Sequence, residues 1–396
     1  MLRQASGSRG SLRGLWGGKL ENALATDNFI PVAIPDLSGN EEKYAAEAIR
    51  SSWISSTGKY IEAFEKQFAE MCQVRHCLGA ANGTVALHLA LMALDIAPGD
   101  EVIVPSLTYI ATANAVRYAH AEPVFVDVSP ETWCIDPSAI EAAITPRTKG
   151  IIAVHLYGHP ADMDAINAVA RRHGLWVVED AAEAHFAVYK GRLAGGLGDI
   201  ATFSFYGNKT ITCGEGGAVT FNDDRLLLRS RMLRGQGMDP DRRYFFPIIG
   251  YNYRLTNIAC AILTAQLERA TQIVATRRLI CDLYTRSLSG IPGIGFQPVA
   301  EWAVVTPWLF CITVDPKLYG RSRDELAEIL SNNRIDSRPF FISVHKLPPY
   351  AKDAGPQLPF TDRLSEIGMN LPTYNGLTEV DIERIAGVIR AHVRST

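Results

Sequence analysis

No run of apolar residues in this chain approaches the roughly 20 needed to cross a bilayer, because charge, glycine or proline interrupts each hydrophobic stretch. A membrane-spanning helix is therefore not expected. The seven cysteines are scattered at 72, 77, 134, 213, 260, 281 and 311 without a CxxC pair, which argues against a zinc ribbon and offers no disulfide framework. A reducing, cytoplasmic setting suits that pattern, and no metal site is expected. Basic residues are not in excess either: 39 Lys and Arg stand against 42 Asp and Glu, a net charge of −3. That balance weighs against a dedicated nucleic-acid binder, so any phosphate must be held locally. No GxGxxG follows an early strand, which argues against a nicotinamide-binding Rossmann enzyme. Internal repeats and low-complexity tracts are also absent. The opening MLRQASGSRGSLRGLWGGKL has no acidic residue before Glu21 and no apolar signal core. Residues 1–27 are expected to form a flexible extension.

What is present is an ordinary globular balance, 47% hydrophobic and 20% charged, over 396 residues. That length predicts two lobes, here 28–255 and 256–396. From about residue 83 short β-branched runs alternate with helical stretches, the pattern of βαβ units and a mostly parallel sheet. Helices are expected at VALHLALMAL, at 109–120 and at ADMDAINAVARRHG. Strands are expected at 101–105, 123–128, 150–156 and 175–180. The strand-like runs 200–207 and 217–223 are too close for a crossover helix. A long helical pattern over 256–289 then leads to a smaller α+β lobe.

Open α/β sheets place ligands beyond the carboxyl ends of their strands, and several chemically suggestive residues fall there. Asp180 ends LWVVED, where a carboxylate can pair with a protonated ring nitrogen. Lys209 follows TFSFYG in a glycine-rich turn, where a desolvated amine can be neutral and form an imine. Asn82-Gly83-Thr84 opens a helix, whose free N–H groups suit a phosphate. Ser204 can add a hydroxyl there, and Tyr109 can stack on a ring. Alone, each has a commoner explanation: a helix-capping acid, a solvated lysine, a simple N-cap, a structural serine, a core tyrosine. His159 and His185 lie nearby and read as structural histidines.

Together, ANGTVALHLAL, GDEVIVPSLTYIATANAV, VVEDAAEAH, TFSFYGNKTITCGEGG and GYNYRLTNIA resemble, in that order, the DegT/DnrJ/EryC1/StrS family of sugar aminotransferases. The resemblance runs from about Ile30 to about Ile389. It implies a fold-type I pyridoxal-phosphate (PLP) enzyme with a large, mostly parallel seven-stranded sheet and a smaller C-terminal α+β domain. A homodimer with active sites at the subunit interface is implied as well. By likeness, Lys209 is the catalytic, PLP-holding lysine and Asp180 the partner of the pyridine nitrogen. Gly83, Thr84 and Ser204 would hold the phosphate, and Tyr109 would stack on the ring. Asn252 would reach the neighbouring subunit's phosphate. At position 183, where many relatives carry Gln or His, this chain has Glu183, grouped here with the cofactor-binding residues.

Finer likeness in HLYGHPADMDAI, RGQGM and SRPFF with LPPY points to members that convert GDP-4-keto-6-deoxy-D-mannose to GDP-perosamine. L-glutamate would donate the amino group and pyridoxamine phosphate would form between half-reactions. Trp53, Ser55, Phe340, Phe341 and His345 resemble segments lining the sugar-nucleotide pocket. Alternatives are an aminotransferase for a UDP- or dTDP-linked keto sugar and a PLP-dependent sugar dehydratase. In the latter the family carries histidine where Lys209 stands. A non-catalytic PLP-fold sensor is a third, although no DNA-binding domain is visible.

Overall fold

The computed structural model describes residues 28–351 and 356–394, so the expected extension over 1–27 lies outside the described residues. Seven strands build the main sheet: β1 (His76–Ala80), β2 (Glu101–Pro105), β3 (Glu122–Val126), β4 (Thr148–Val154), β5 (Trp176–Asp180), β6 (Ile200–Ser204) and β7 (Gly217–Phe221). Their order is β1-β7-β6-β5-β4-β2-β3, and β7 alone runs against the rest. The mostly parallel α/β sheet expected from the sequence is thus present.

Both faces of this sheet are covered, which is why its strands read as continuous apolar runs. Side chains alternate across it: Val102, Val104, Ile152 and Val178 face one way, Ile103, Ile151, Ala153 and Val177 the other. On the first face lie α2 (Gly83–Ala93) and α3 (Ala111–Tyr118), following α1 (Lys59–Met71) in the chain. Helix α2 buries Leu87, Leu89 and Leu91 together with Ala86, Ala90 and Ala93, so it is apolar nearly all round. The opposite face takes α1 and α4 (Met163–His173), whose Phe64, Phe68, Met163 and Ile166 join the core there.

The helical pattern over 256–289 forms two helices, α5 (Asn257–Glu268) and α6 (Ala270–Leu288), rather than one. They part at Arg269, whose φ of −114° leaves the helical range. Its guanidinium forks onto Asp36, with both N···O distances at 3.1 Å. Helix α5 then packs Cys260 and Leu263 against Phe64 and Phe68.

Further along, β8 (Ile294–Phe296), β9 (Phe310–Val314), β10 (Arg338–Pro339) and β11 (Gly368–Leu371) make an antiparallel sheet in the order β8-β9-β11-β10. It packs on α6 and α7 (Glu379–Ala391) through Tyr284, Phe310, Ile312, Ile382 and Ile385. The chain's start belongs to this group: Ile30 bridges Ile335 in parallel, and Val32 accepts a hydrogen bond from the Thr373 N–H. No helix among the described residues is long and apolar enough to cross a membrane.

Candidate active site

The chain moves outward from β2 to β3 and then returns to the other side of β2 as β4, β5 and β6. Such a reversal opens a crevice at the carboxyl ends of the strands. Asp180 closes β5 there and is 5% exposed. Thr112, in the first turn of α3, donates to Asp180 Oδ2 at 2.8 Å, and the Ala182 N–H donates to Oδ1 at 3.3 Å. Burial pushes the Asp180 pKa up, while these two donors and the positive charge of Lys209 oppose the shift.

Lys209 follows β6 across a tight turn in which its N–H donates to the Tyr206 carbonyl at 2.9 Å. Its Nζ lies 3.8 Å from Glu183 Oε1 and 3.8 Å from the centroid of the Trp308 ring. Burial lowers its pKa, against the pull of Glu183 and Asp180, so the amine gives up its proton more readily than a solvated lysine does. Glu183 is also buried, and burial raises its carboxyl to about 7. Its Oε2 accepts from the Tyr157 N–H at 2.8 Å. Tyr157 holds φ at +54° to present that N–H, an uncommon backbone conformation for a bulky residue.

The anion cradle lies two strand-ends away. Asn82 caps α2 through the Val85 N–H at 3.0 Å, leaving the Gly83 and Thr84 N–H groups with no partner among the described residues. A Cβ on Gly83 would lie 2.8 Å from the Ser204 Cβ, and one on Gly217 would lie 2.4 Å from the Asn82 carbonyl oxygen. Only glycine at both positions lets the helix start seat against the ends of β6 and β7. The Ser204 hydroxyl therefore sits beside free backbone donors at a positive helix end.

An aromatic wall joins the two sheets. Trp308 lies 6.3 Å from Phe341, and Phe341 lies 5.8 Å from Tyr109, centroid to centroid. Trp308 is fixed by its own Nε1–H donating to the Asn208 carbonyl at 2.9 Å and by the buried Arg277, whose Nη1 donates to the Trp308 carbonyl at 2.7 Å. Phe340, next to Phe341, points instead into the core against Tyr157 and Trp133. His345 is buried three residues beyond Ile342, and Ser106 Oγ lies 2.7 Å from its Nδ1.

Asp180, Glu183, Lys209, Tyr109 and Phe341 thus gather along one edge with Gly83, Thr84 and Ser204. Trp53 and Ser55 are exposed and offer their carbonyls to Asn257, with no contact to Lys209 among the described residues. Asn252 is exposed too, in a bridge with Gly235. His159 is a satisfied structural residue: its Nε2 accepts from the Ala300 N–H at 3.1 Å, its Nδ1 lies 2.7 Å from the Pro160 carbonyl, and burial depresses its pKa to about 4. His185 lies buried among Phe186, Phe203 and Phe205, and burial depresses it to about 3. Thr112, Tyr157 and Trp308 escaped the sequence reading. A threonine in the first turn of a helix that starts beside Tyr109 was the one available signal, for Thr112.

These parts fit PLP. A buried amine of lowered pKa can hold an aldehyde, a buried carboxylate at a strand end can face a ring nitrogen, and the Gly83-Gly217 cradle leaves room for a phosphate against free N–H groups.

Comparison with known proteins agrees. The chain is 51% identical to GDP-perosamine synthase of Caulobacter vibrioides, over 91% of this chain and 97% of that one. It is 45% identical to GDP-perosamine synthase of Escherichia coli O157:H7, over 89% and 96%. A Streptococcus pneumoniae protein described as a sugar aminotransferase and solved in its PLP form superposes with a TM-score of 0.86 at 26% identity, covering 92% of this chain and 98% of that one. With the family model matching residues 35–390, the chain belongs to the DegT/DnrJ/EryC1/StrS aminotransferase family.

Proposed function

We propose that this chain is a PLP-dependent aminotransferase that moves the amino group of L-glutamate onto C4 of GDP-4-keto-6-deoxy-D-mannose, giving GDP-perosamine. The observation that carries the reaction class is the enclosed Lys209 amine, with Asp180 and Glu183 around it at the carboxyl edge of the sheet. The relatives described above carry the choice of sugar nucleotide.

When bound, PLP supplies an electron sink that makes an amino-acid Cα–H bond acidic. Lys209 would hold the cofactor through Nζ and, with that nitrogen free, would accept and return the substrate proton there. One residue serves both roles because each falls vacant when the other is filled. Asp180, anchored by Thr112, would keep a proton on the ring nitrogen. Gly83, Thr84 and Ser204 would take the phosphate, and Tyr109 would cover the ring. Trp308 and Phe341 exclude water from the Lys209 side.

A homodimer completes the reading, with Asn252 reaching into the neighbouring site. Supporting this, Asn252 follows an exposed apolar run in which Tyr244 is 72% and Ile249 91% exposed. Trp53, Ser55, Phe341 and His345 remain assigned to the sugar-nucleotide side, with Phe340 packed in the core behind Phe341. Residues 28–255 and 256–396 are assigned to the larger and smaller lobes, with Ile30 crossing to the smaller sheet's core and α5 to the larger one's. Seven free cysteines support a cytoplasmic setting.

Two experiments test the proposal. Borohydride reduction of the PLP-loaded protein should fix the cofactor to the peptide carrying Lys209; an unmodified Lys209 peptide removes the reaction class. Incubation with glutamate and GDP-, UDP- and dTDP-linked keto sugars, followed by product mass, should show turnover of the GDP substrate. Turnover confined to another nucleotide removes the substrate assignment.

A further inference from the structure

We infer that Glu183 is the proton partner of Lys209: the two side chains share one proton inside the closed site, and Lys209 becomes a neutral nucleophile by passing its proton to Glu183 Oε1 rather than to water. This rests on the reading of Lys209 as the cofactor-holding lysine and goes beyond it, because it gives position 183 a role in setting the state of that amine.

The geometry separates the two oxygens of Glu183. Oε2 accepts from the Tyr157 N–H at 2.8 Å, whereas Oε1 faces Lys209 Nζ at 3.8 Å and has no other partner among the described residues. One oxygen is thus anchored and the other is left able to receive a proton. Closing by about 1 Å brings Nζ and Oε1 to hydrogen-bond distance. In the transfer an N–H bond of the ammonium breaks and an O–H bond forms on Oε1, so an ion pair becomes a neutral pair with nothing gained or lost.

Burial favours that exchange from both ends, since it disfavours the charged form of each group. The Glu183 side chain is 5% exposed and that of Lys209 11%. Burial moves the Glu183 carboxyl up to about 7 and the Lys209 amine down. Asp180 is the rival acceptor, yet both of its oxygens already accept, from Thr112 and Ala182. The other titratable groups facing the pair are Tyr157, Cys134 and Cys311 toward Glu183 and His185 toward Lys209. Burial holds the thiols and the phenol protonated and His185 unprotonated, so none of them competes near neutral pH.

The test is reciprocal, because coupling between two protons must appear from either side. In the cofactor-free full chain, the reactivity of Lys209 toward acetic anhydride is followed against pH by mass spectrometry. The infrared band of the protonated Glu183 carboxyl is followed over the same range. Wild-type Lys209 should become reactive in two steps, and Glu183→Gln should collapse these into one that is complete at lower pH by a unit or more. That is about tenfold greater reactivity where the upper step lay. Lys209→Met should move the carboxyl band to higher pH by a similar amount. A Glu183 that merely braced the Tyr157 turn would leave both midpoints where they are, and unmoved midpoints overturn the inference. The Lys209→Met arm stands alone if Glu183→Gln fails to fold. Borohydride fixation on Lys209 with unmoved midpoints removes this inference and leaves the proposed function intact; moved midpoints without fixation do the reverse.

Discussion

Thr112 donates the one side-chain hydroxyl bond that Asp180 receives among the described residues, and it does so from inside a buried pocket. A bond to a charged group is worth about 1.5–3 kcal/mol, so Thr112→Val should lower stability by about that much in urea titration. It should also weaken PLP retention in equilibrium dialysis, with Thr112→Ser restoring most of both. Trp308→Leu keeps Lys209 covered but removes the ring under its Nζ. A cation–π contact is worth about 0.5–2 kcal/mol, so the amine should lose its proton at lower pH in the acetic anhydride assay. Trp308→Phe should shift it less. Lys209, Asp180 and Gly83 were legible in the sequence because an amine, an acid and a glycine stand at strand ends and a helix start. Trp308 was not: it comes from 99 positions beyond Lys209, inside a run that reads as plain strand, and only the fold lays its ring beneath the amine.

At the scale of elements, α2 decides where the phosphate cradle lies, and its hold is the apolar face it buries. Leu89 is 0% exposed at its centre, so Leu89→Ala should cost about 2–5 kcal/mol in the same titration. Gly217→Val brings a Cβ against the Asn82 carbonyl and should loosen the cradle while leaving the Asp180 end intact. PLP retention should fall more than stability does. The parallel strands were legible through their β-branched residues, and EVIVP matches β2 end to end. Strand β1 was not, because HCLGA contains no β-branched or aromatic residue and is held as a strand by its pairing with β7. The break at Arg269 was equally hidden, since arginine suits a helix and Asp36, the carboxylate its guanidinium forks onto, lies 233 residues away.

For the molecule as a whole, its buried titratable groups pull stability in opposite directions as pH changes. Glu183 has a raised pKa, so its contribution is present below about 4.5 and fades as pH climbs through about 7. His159 and His185 have depressed values; their contribution is present above about 6.5 and is lost on acidification toward about 4 and 3. Each is on the order of a few kcal/mol. The two depressed histidines, with carboxylates such as Asp36 held low beside Arg269, outweigh the raised Glu183 and Asp180, so acid should destabilise the protein. Glu183→Gln, a permanently neutral stand-in for the protonated acid, should raise the urea midpoint near pH 7 and leave it little changed below about 4.5; an unchanged midpoint near pH 7 would contradict this linkage. The chain's ends impose a different constraint. β1 pairs with β7, 137 positions away at the nearest register, and Ile30 waits for Ile335. During synthesis the segment at Ile30 is therefore left without its partner until residue 335 has left the ribosome, and contacts this distant make folding slow. A nascent chain stalled before residue 335 should still be cut by protease near Ile30, and the released chain should resist.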